Sequence, residues 1–191
     1  MRIVAGDYKG RRLLAPKGAD TRPTSDRVRE SLFNVLAHGL AEWPGELEGA
    51  SVVDLFCGTG ALGLEALSRG AARVTLIDNS GPALGVAKKN TALGPEAFRQ
   101  VLILKMDATK LAPPPLAAQA PCAVAFLDAP YGQGLTLPAL LGLKNRGWLA
   151  PGGLAVAEVA ADEELLPPPG FQIIDERAYG AARVVFLQIR D

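Results

Sequence analysis

Residues 52–67 read VVDLFCGTGALGLEAL: a largely apolar run, a turn holding Gly58 and Gly60, and then a helical pattern that carries Gly63. Few architectures accept that order. A continuous apolar run suits a strand buried on both faces, and such burial calls for a parallel sheet covered by helices on each side. Glycines between strand and helix let the backbone turn tightly and approach a ligand, while the helix amino terminus offers free N–H groups. Asp78 closes the next apolar run, twenty residues beyond Gly58, where a carboxylate can hold both hydroxyls of a ribose. Strand, glycines, helix and acid in this register point to an adenosine-containing cofactor. On these residues alone NAD fits as well as any other.

The rest of the chain repeats the strand-helix alternation. Strands are predicted at 51–56, 73–78, 100–106, 123–128, 154–159, 171–178 and 182–189, and helices at 61–69, 82–93, 109–118 and 135–146. Only Tyr179, Gly180 and Ala181 separate the last two strands, a link that permits a hairpin and no parallel crossover. The expected fold is α/β: a doubly wound, seven-stranded, mostly parallel sheet with an antiparallel last strand. Before it, residues 2–5 and 11–15 suggest a hairpin, and Thr24 or Ser25 can cap a helix striped by Val28, Leu32, Val35 and Leu36. The division expected is a basic extension, residues 1–45, and a catalytic domain, residues 46–191. A length of 191 residues suits one such domain.

Net charge is zero but unevenly placed. Residues 1–30 carry eight Lys or Arg against four acids, so the remainder is mildly acidic. A basic arm on an acidic body is the asymmetry of a chain that meets a phosphate backbone, although a solvated terminus would look the same. No apolar run is long enough for a membrane span and the amino terminus has no signal-peptide pattern, so a cytoplasmic protein is expected. Cys57, Cys122 and a lone His38 make no disulfide framework and a poor metal site; they read as two small buried residues and a surface residue. Trp43, Trp148 and Phe171 read as packing residues, and Asn90 as a helix cap. Nothing demands more than a monomer.

Two features weigh against NAD. Asp54 lies inside the first strand, where a carboxylate would face the glycine turn; a pyrophosphate gains nothing from it, whereas S-adenosylmethionine offers a sulfonium and an ammonium. The fourth strand ends in Asp128-Ala129-Pro130-Tyr131, beyond the carboxyl ends of the strands where ligands of such sheets bind. An acceptor and an aromatic face are what grip an extruded base, one at its exocyclic amine and one on its ring. Asp107, ending the third strand, suits an adenine amino group or ordinary capping.

With those residues in view the chain resembles the RsmD family of small-subunit ribosomal RNA guanine-N2 methyltransferases. The likeness rests on RIVAGDYKGRRLLAP and TRPTSDRVRESLFNVL at the amino end, DLFCGTGALGLEALSRGA at the glycine turn, and DAPY. It implies the class I methyltransferase fold, S-adenosylmethionine as cofactor, and small-subunit ribosomal RNA, free or within an assembled subunit, as partner. Asp54, Phe56, Gly58, Thr59, Gly60, Asp78, Asn79, Asp107 and Ala108 are expected around the cofactor. Asp128, Pro130 and Tyr131 are expected at the target guanine, and Arg11, Arg12, Arg22, Thr24 and Arg27 toward the RNA. Ala129 departs from the family pattern, which has proline there, and leaves the turn less pre-set. Rival readings are an NAD oxidoreductase, a methyltransferase for adenine or a protein side-chain amide, and a non-catalytic RNA-binding protein on the same fold.

Overall fold

The computed structural model describes residues 1–15, 26–43 and 45–190. Among them seven strands form one sheet: β1 (Ser51–Leu55), β2 (Arg73–Asp78), β3 (Val101–Lys105), β4 (Cys122–Leu127), β5 (Leu149–Ala160), β6 (Phe171–Tyr179) and β7 (Ala182–Ile189). Their order is β3-β2-β1-β4-β5-β7-β6, so the chain winds outward from β1 one way and then the other. β1 to β5 pair in parallel, while β7 runs antiparallel to both β5 and β6. The expected sheet is the one that forms, with β7 inserted beside β5 and β6 left at the edge.

Successive side chains of a strand point to opposite faces, and the apolar runs therefore feed two cores. Val52, Val74, Val124 and Phe126 pack on one face together with Leu32, Phe33 and Leu36 of α1 (Asp26–His38). Val53, Ile77, Ala125 and Leu127 pack on the other with Ala139, Leu140 and Leu143 of α5 (Thr136–Asn145). Trp43, Trp148 and Phe171 are buried as expected, and the Trp148 indole N–H donates to the Ala112 carbonyl at 2.7 Å.

α2 (Ala61–Ser68) is buried on nearly every side because the amino-terminal arm covers its outer face. Glu65, fully buried, accepts from the backbone N–H of Val4 at 2.8 Å and of Ala5 at 3.0 Å. Ser68 adds a hydroxyl acceptor for the Tyr8 N–H at 2.9 Å and a carbonyl for that of Asp7 at 2.8 Å. Gly6 sits between them at φ 80°, where a Cβ would fall 1.6 Å from the Ser68 carbonyl oxygen. The buried Glu65 charge is matched by Arg69 at 2.9 Å and by the fully buried Arg29 at 3.5 Å; unpaired, it would be costly.

Several local expectations are corrected. Residues 109–118 form no helix but two single 3-10 turns, Ala108–Lys110 and Leu116–Ala118. Pro113, Pro114 and Pro115 lie between them, without N–H groups to continue a helix. α3 (Gly81–Asn90) stops before Leu93, and a further short helix, α4 (Pro95–Gln100), takes Gln100 from the strand. β5 begins at Leu149 rather than 154, with a register irregularity opposite Cys122 and Val124. The hairpin of the arm forms around one antiparallel bridge, Arg2 with Arg12, with backbone bonds from the Ile3 N–H to Arg11, Gly10 to Ile3 and Leu13 to Met1; it extends no further because Val4 and Ala5 donate to Glu65. The caps expected for α1, Thr24 and Ser25, lie outside the described residues.

Candidate active site

Parallel pairing sets the site's layout. Leu55 of β1 pairs with Ile77 of β2 and with Leu127 of β4, so Phe56, Asp78 and Asp128 follow at one level along the carboxyl edge. Leu127 pairs with Ala157, which brings Glu158 into the same row from β5. Asp78 pairs with Lys105, and Asp107 stands two residues beyond. Three of the acids singled out in the sequence, Asp78, Asp107 and Asp128, are thus brought with Glu158 to the edge where ligands of open α/β sheets bind.

The turn after β1 is built by left-handed residues: Phe56 at φ 56°, Gly58 at 52° and Gly60 at 77°. A non-glycine residue with positive φ is uncommon, and here its neighbours fix it. The Cys57 N–H donates to the Ile77 carbonyl at 3.0 Å, and that of Gly60 to the Cys57 carbonyl at 2.7 Å. Asp78 accepts from the Gly58 N–H at 2.9 Å through one carboxylate oxygen and from the Ser80 N–H at 2.8 Å through the other. Each oxygen retains acceptor capacity, as two ribose hydroxyls would require. Gly63 is needed for packing: a Cβ would lie 2.5 Å from the Leu76 Cδ2. Thr59 and Asn79 flank the turn, half-buried and exposed respectively.

Asp54 gives the site its electrostatic character. Its Oδ2 accepts from the Gly63 N–H at 2.9 Å. An N–H in the first turn of α2, the group a phosphate would seek, is therefore already taken. Burial pushes its carboxyl up to about 8; the Gly63 hydrogen bond opposes this, and the charges of Asp128 and Asp78 add to it. Its Oδ1 is buried and, among the described residues, has no hydrogen-bond partner. A buried oxygen without a partner, on a carboxyl that keeps its proton up to about pH 8, suits a ligand whose cationic centre favours the charged form, and the two carboxylates beside it repel a pyrophosphate.

Asp107 caps the 3-10 turn Ala108–Lys110 through its Oδ1. It accepts from the Thr109 N–H at 2.9 Å and hydroxyl at 2.7 Å, and these bonds hold its carboxyl below the usual range. Ala108 is buried behind it. Burial raises the Cys57 thiol, with Asp54 and Asp78 adding to the effect, and pushes that of Cys122 up to about 12, so both remain thiols packed as small apolar groups.

In the turn after β4, Asp128 is half-buried, Ala129 buried, and Pro130 and Tyr131 exposed. The Tyr131 hydroxyl donates to the Glu158 carboxylate, and the Gly132 N–H to Glu163 at 3.0 Å. Two acids from β5 and the loop after it thus hold the turn in which Ala129 stands before Pro130. Sequence reasoning missed both; the available signal was one acid inside the apolar run LAVAEVA. Arg11 and Arg12 are exposed beside the bridge of the arm, and Arg27 is exposed on α1, bordering a surface groove with Arg2, Lys9 and Glu30. Arg22 and Thr24 lie outside the described residues.

Sheet order, glycine turn and acids together define the fold of the class I S-adenosylmethionine-dependent methyltransferases. A family model described as "Conserved hypothetical protein 95" matches residues 1–188, and the chain belongs to that family. It is 34% identical over 174 residues to the Escherichia coli protein named ribosomal RNA small subunit methyltransferase D, covering 88% of this chain and 79% of that one. The Haemophilus influenzae protein of the same name is 31% identical over 180 residues, covering 94% and 89%. A solved Escherichia coli structure described as that of a candidate methyltransferase matches with TM-score 0.79 and 32% identity over 99% of this chain and 97% of that one. The chain is a methyltransferase of this fold.

Proposed function

We propose that this enzyme transfers a methyl group from S-adenosylmethionine to the exocyclic N2 of a guanine in small-subunit ribosomal RNA, in the cytoplasm. The carrying observation is the pairing of a buried Asp54 oxygen that has no partner among the described residues with a Gly63 N–H that is already satisfied. This pairing favours a cationic, phosphate-free cofactor over NAD. The names of the relatives support the RNA and the subunit. Asp54, Phe56, Gly58, Thr59, Gly60, Asp78 and Asn79 would hold the cofactor, with Asp107 and Ala108 bordering the adenine. When bound, S-adenosylmethionine supplies a methyl carbon made electrophilic by its sulfonium.

The chain's own residues prepare the amine. The lone pair of a guanine N2 is delocalised into the ring, which makes it a poor nucleophile. Asp128 and the carbonyls of Ala129 or Pro130 accept its N–H groups, localise the pair and orient it; alignment of this kind supplies much of the acceleration. Tyr131 stacks on the base, worth about 1–3 kcal/mol, and Glu158 fixes the ring through the phenol. After transfer the amine carries a surplus proton, which passes to Asp128 or to water. Residues 1–45 form a separate functional unit in this reading, and Arg11, Arg12, Arg22, Thr24 and Arg27 hold the RNA by its backbone without reading sequence.

Asp128→Asn and Tyr131→Ala test the assignment. Turnover on small ribosomal subunits lacking the modification should fall at least tenfold in each, while the Kd for S-adenosylmethionine stays within a fewfold. Unchanged turnover in both variants would overturn the target site.

A further inference from the structure

Asn90 is the last residue of α3, and a surface cap would leave its amide in water. Instead its side chain is buried, 4% exposed, and each hydrogen bond it makes joins different parts of the fold. Its Oδ1 accepts from the Leu14 N–H at 2.7 Å, and its Nδ2 donates to the Leu14 carbonyl at 3.1 Å. The amide therefore pairs with Leu14 as a neighbouring strand would. Its second N–H reaches the Thr59 carbonyl at 3.0 Å, between Gly58 and Gly60 of the glycine turn. One planar group thus ties the cofactor turn to the last stretch of arm before the segment bearing Arg22 and Thr24. The arm's other side-chain anchors among the described residues, α1 at Arg2 and Glu65 and Ser68 at residues 4–8, do not touch the glycine turn, so Asn90 is placed to sense the turn itself.

We infer that Asn90 is a positioning residue that couples cofactor occupancy to placement of the RNA-holding arm. This rests on the function proposed above. A cofactor that orders Thr59 fixes Asn90, which fixes Leu14 and with it the neighbouring Arg11 and Arg12 of the arm. Coupling is reciprocal, so bound RNA tightens the cofactor by the same factor.

The test measures the Kd of S-adenosylhomocysteine and of small-subunit ribosomal RNA, each alone and each with the other saturating. Wild-type protein should give a coupling factor of at least about fivefold, the lower end of typical allosteric coupling. Asn90→Ala should bring it to near one. Asn90→Asp keeps the acceptor for Leu14 but loses both donors, and should do the same should the alanine variant fold poorly. Thr91→Ala removes the neighbouring buried hydroxyl, which donates only to Lys88 within its own helix turn, and should leave the coupling intact. In wild-type protein, S-adenosylhomocysteine alone should slow hydrogen exchange of the Leu14 amide. A wild-type factor of one, or full coupling in both Asn90 variants, would overturn the inference and leave the enzyme assignment standing. Failure of wild-type protein to bind S-adenosylhomocysteine would instead overturn the reading it rests on.

Discussion

Asp54→Asn offers the sharpest check on the electrostatics of the site. Burial holds the carboxyl at about 8 against an ordinary 3.8, so between those values the folded chain keeps a proton that the unfolded chain has lost. Stability then falls as pH rises through that window. At about 1.4 kcal/mol per pH unit, the part lost between pH 5 and pH 8 amounts to about 3–4 kcal/mol. Asparagine keeps an acceptor for the Gly63 N–H and carries no charge to bury. The ligand-free variant should therefore gain on wild type by that amount over the same interval, a relative Tm increase of roughly 10 °C for a domain of this size. Calorimetric melts of both proteins at pH 5 and pH 8 give the answer. A variant-to-wild-type difference that is the same at both pH values would refute the reasoning.

Three further outcomes are expected. Gly6→Ala puts a Cβ into the Ser68 carbonyl at a positive φ and breaks two backbone anchors; it should cost about 3–4 kcal/mol and lift the arm, read as fast hydrogen exchange over residues 3–8. Replacing Arg11, Arg12 and Arg27 together by alanine should weaken RNA binding and flatten the slope of log K against log salt by about 2, at roughly 0.7 per lost phosphate contact. An unaltered slope would remove these residues from the interface. Glu158→Gln keeps a partner for the Tyr131 hydroxyl while Glu158→Ala does not, so the alanine variant alone should lose turnover by about tenfold with cofactor affinity preserved.

Much of the fold was legible because its signals are local. Runs such as VVDLF, VTLID and AVAFLD are buried on both faces, and the three-residue link at 179–181 forces the terminal hairpin. The helix expected over 109–118 does not form because three consecutive prolines decide its backbone. α4 was too short to show a period. Asp78 and Asp128 could be read from their places at strand ends, since parallel register brings such ends to one level, and Asp54 from its place inside the strand that leads into the glycine turn. Glu158 shows only as one acid in an apolar run and Glu163 not at all, because they meet the target turn from β5 and the loop after it, which lie beside that turn only in the folded sheet. Asn90 was readable as a helix end; its bonds to Leu14 and Thr59 join residues 76 and 31 positions away, a relation no local pattern carries.

The central claim is tested most directly by incubating the protein with methyl-labelled S-adenosylmethionine and small ribosomal subunits that lack the modification, then digesting the RNA to nucleosides. The account predicts label in N2-methylguanosine from a single position. Label in methyladenosine, in protein, or in no acceptor despite bound cofactor would contradict it.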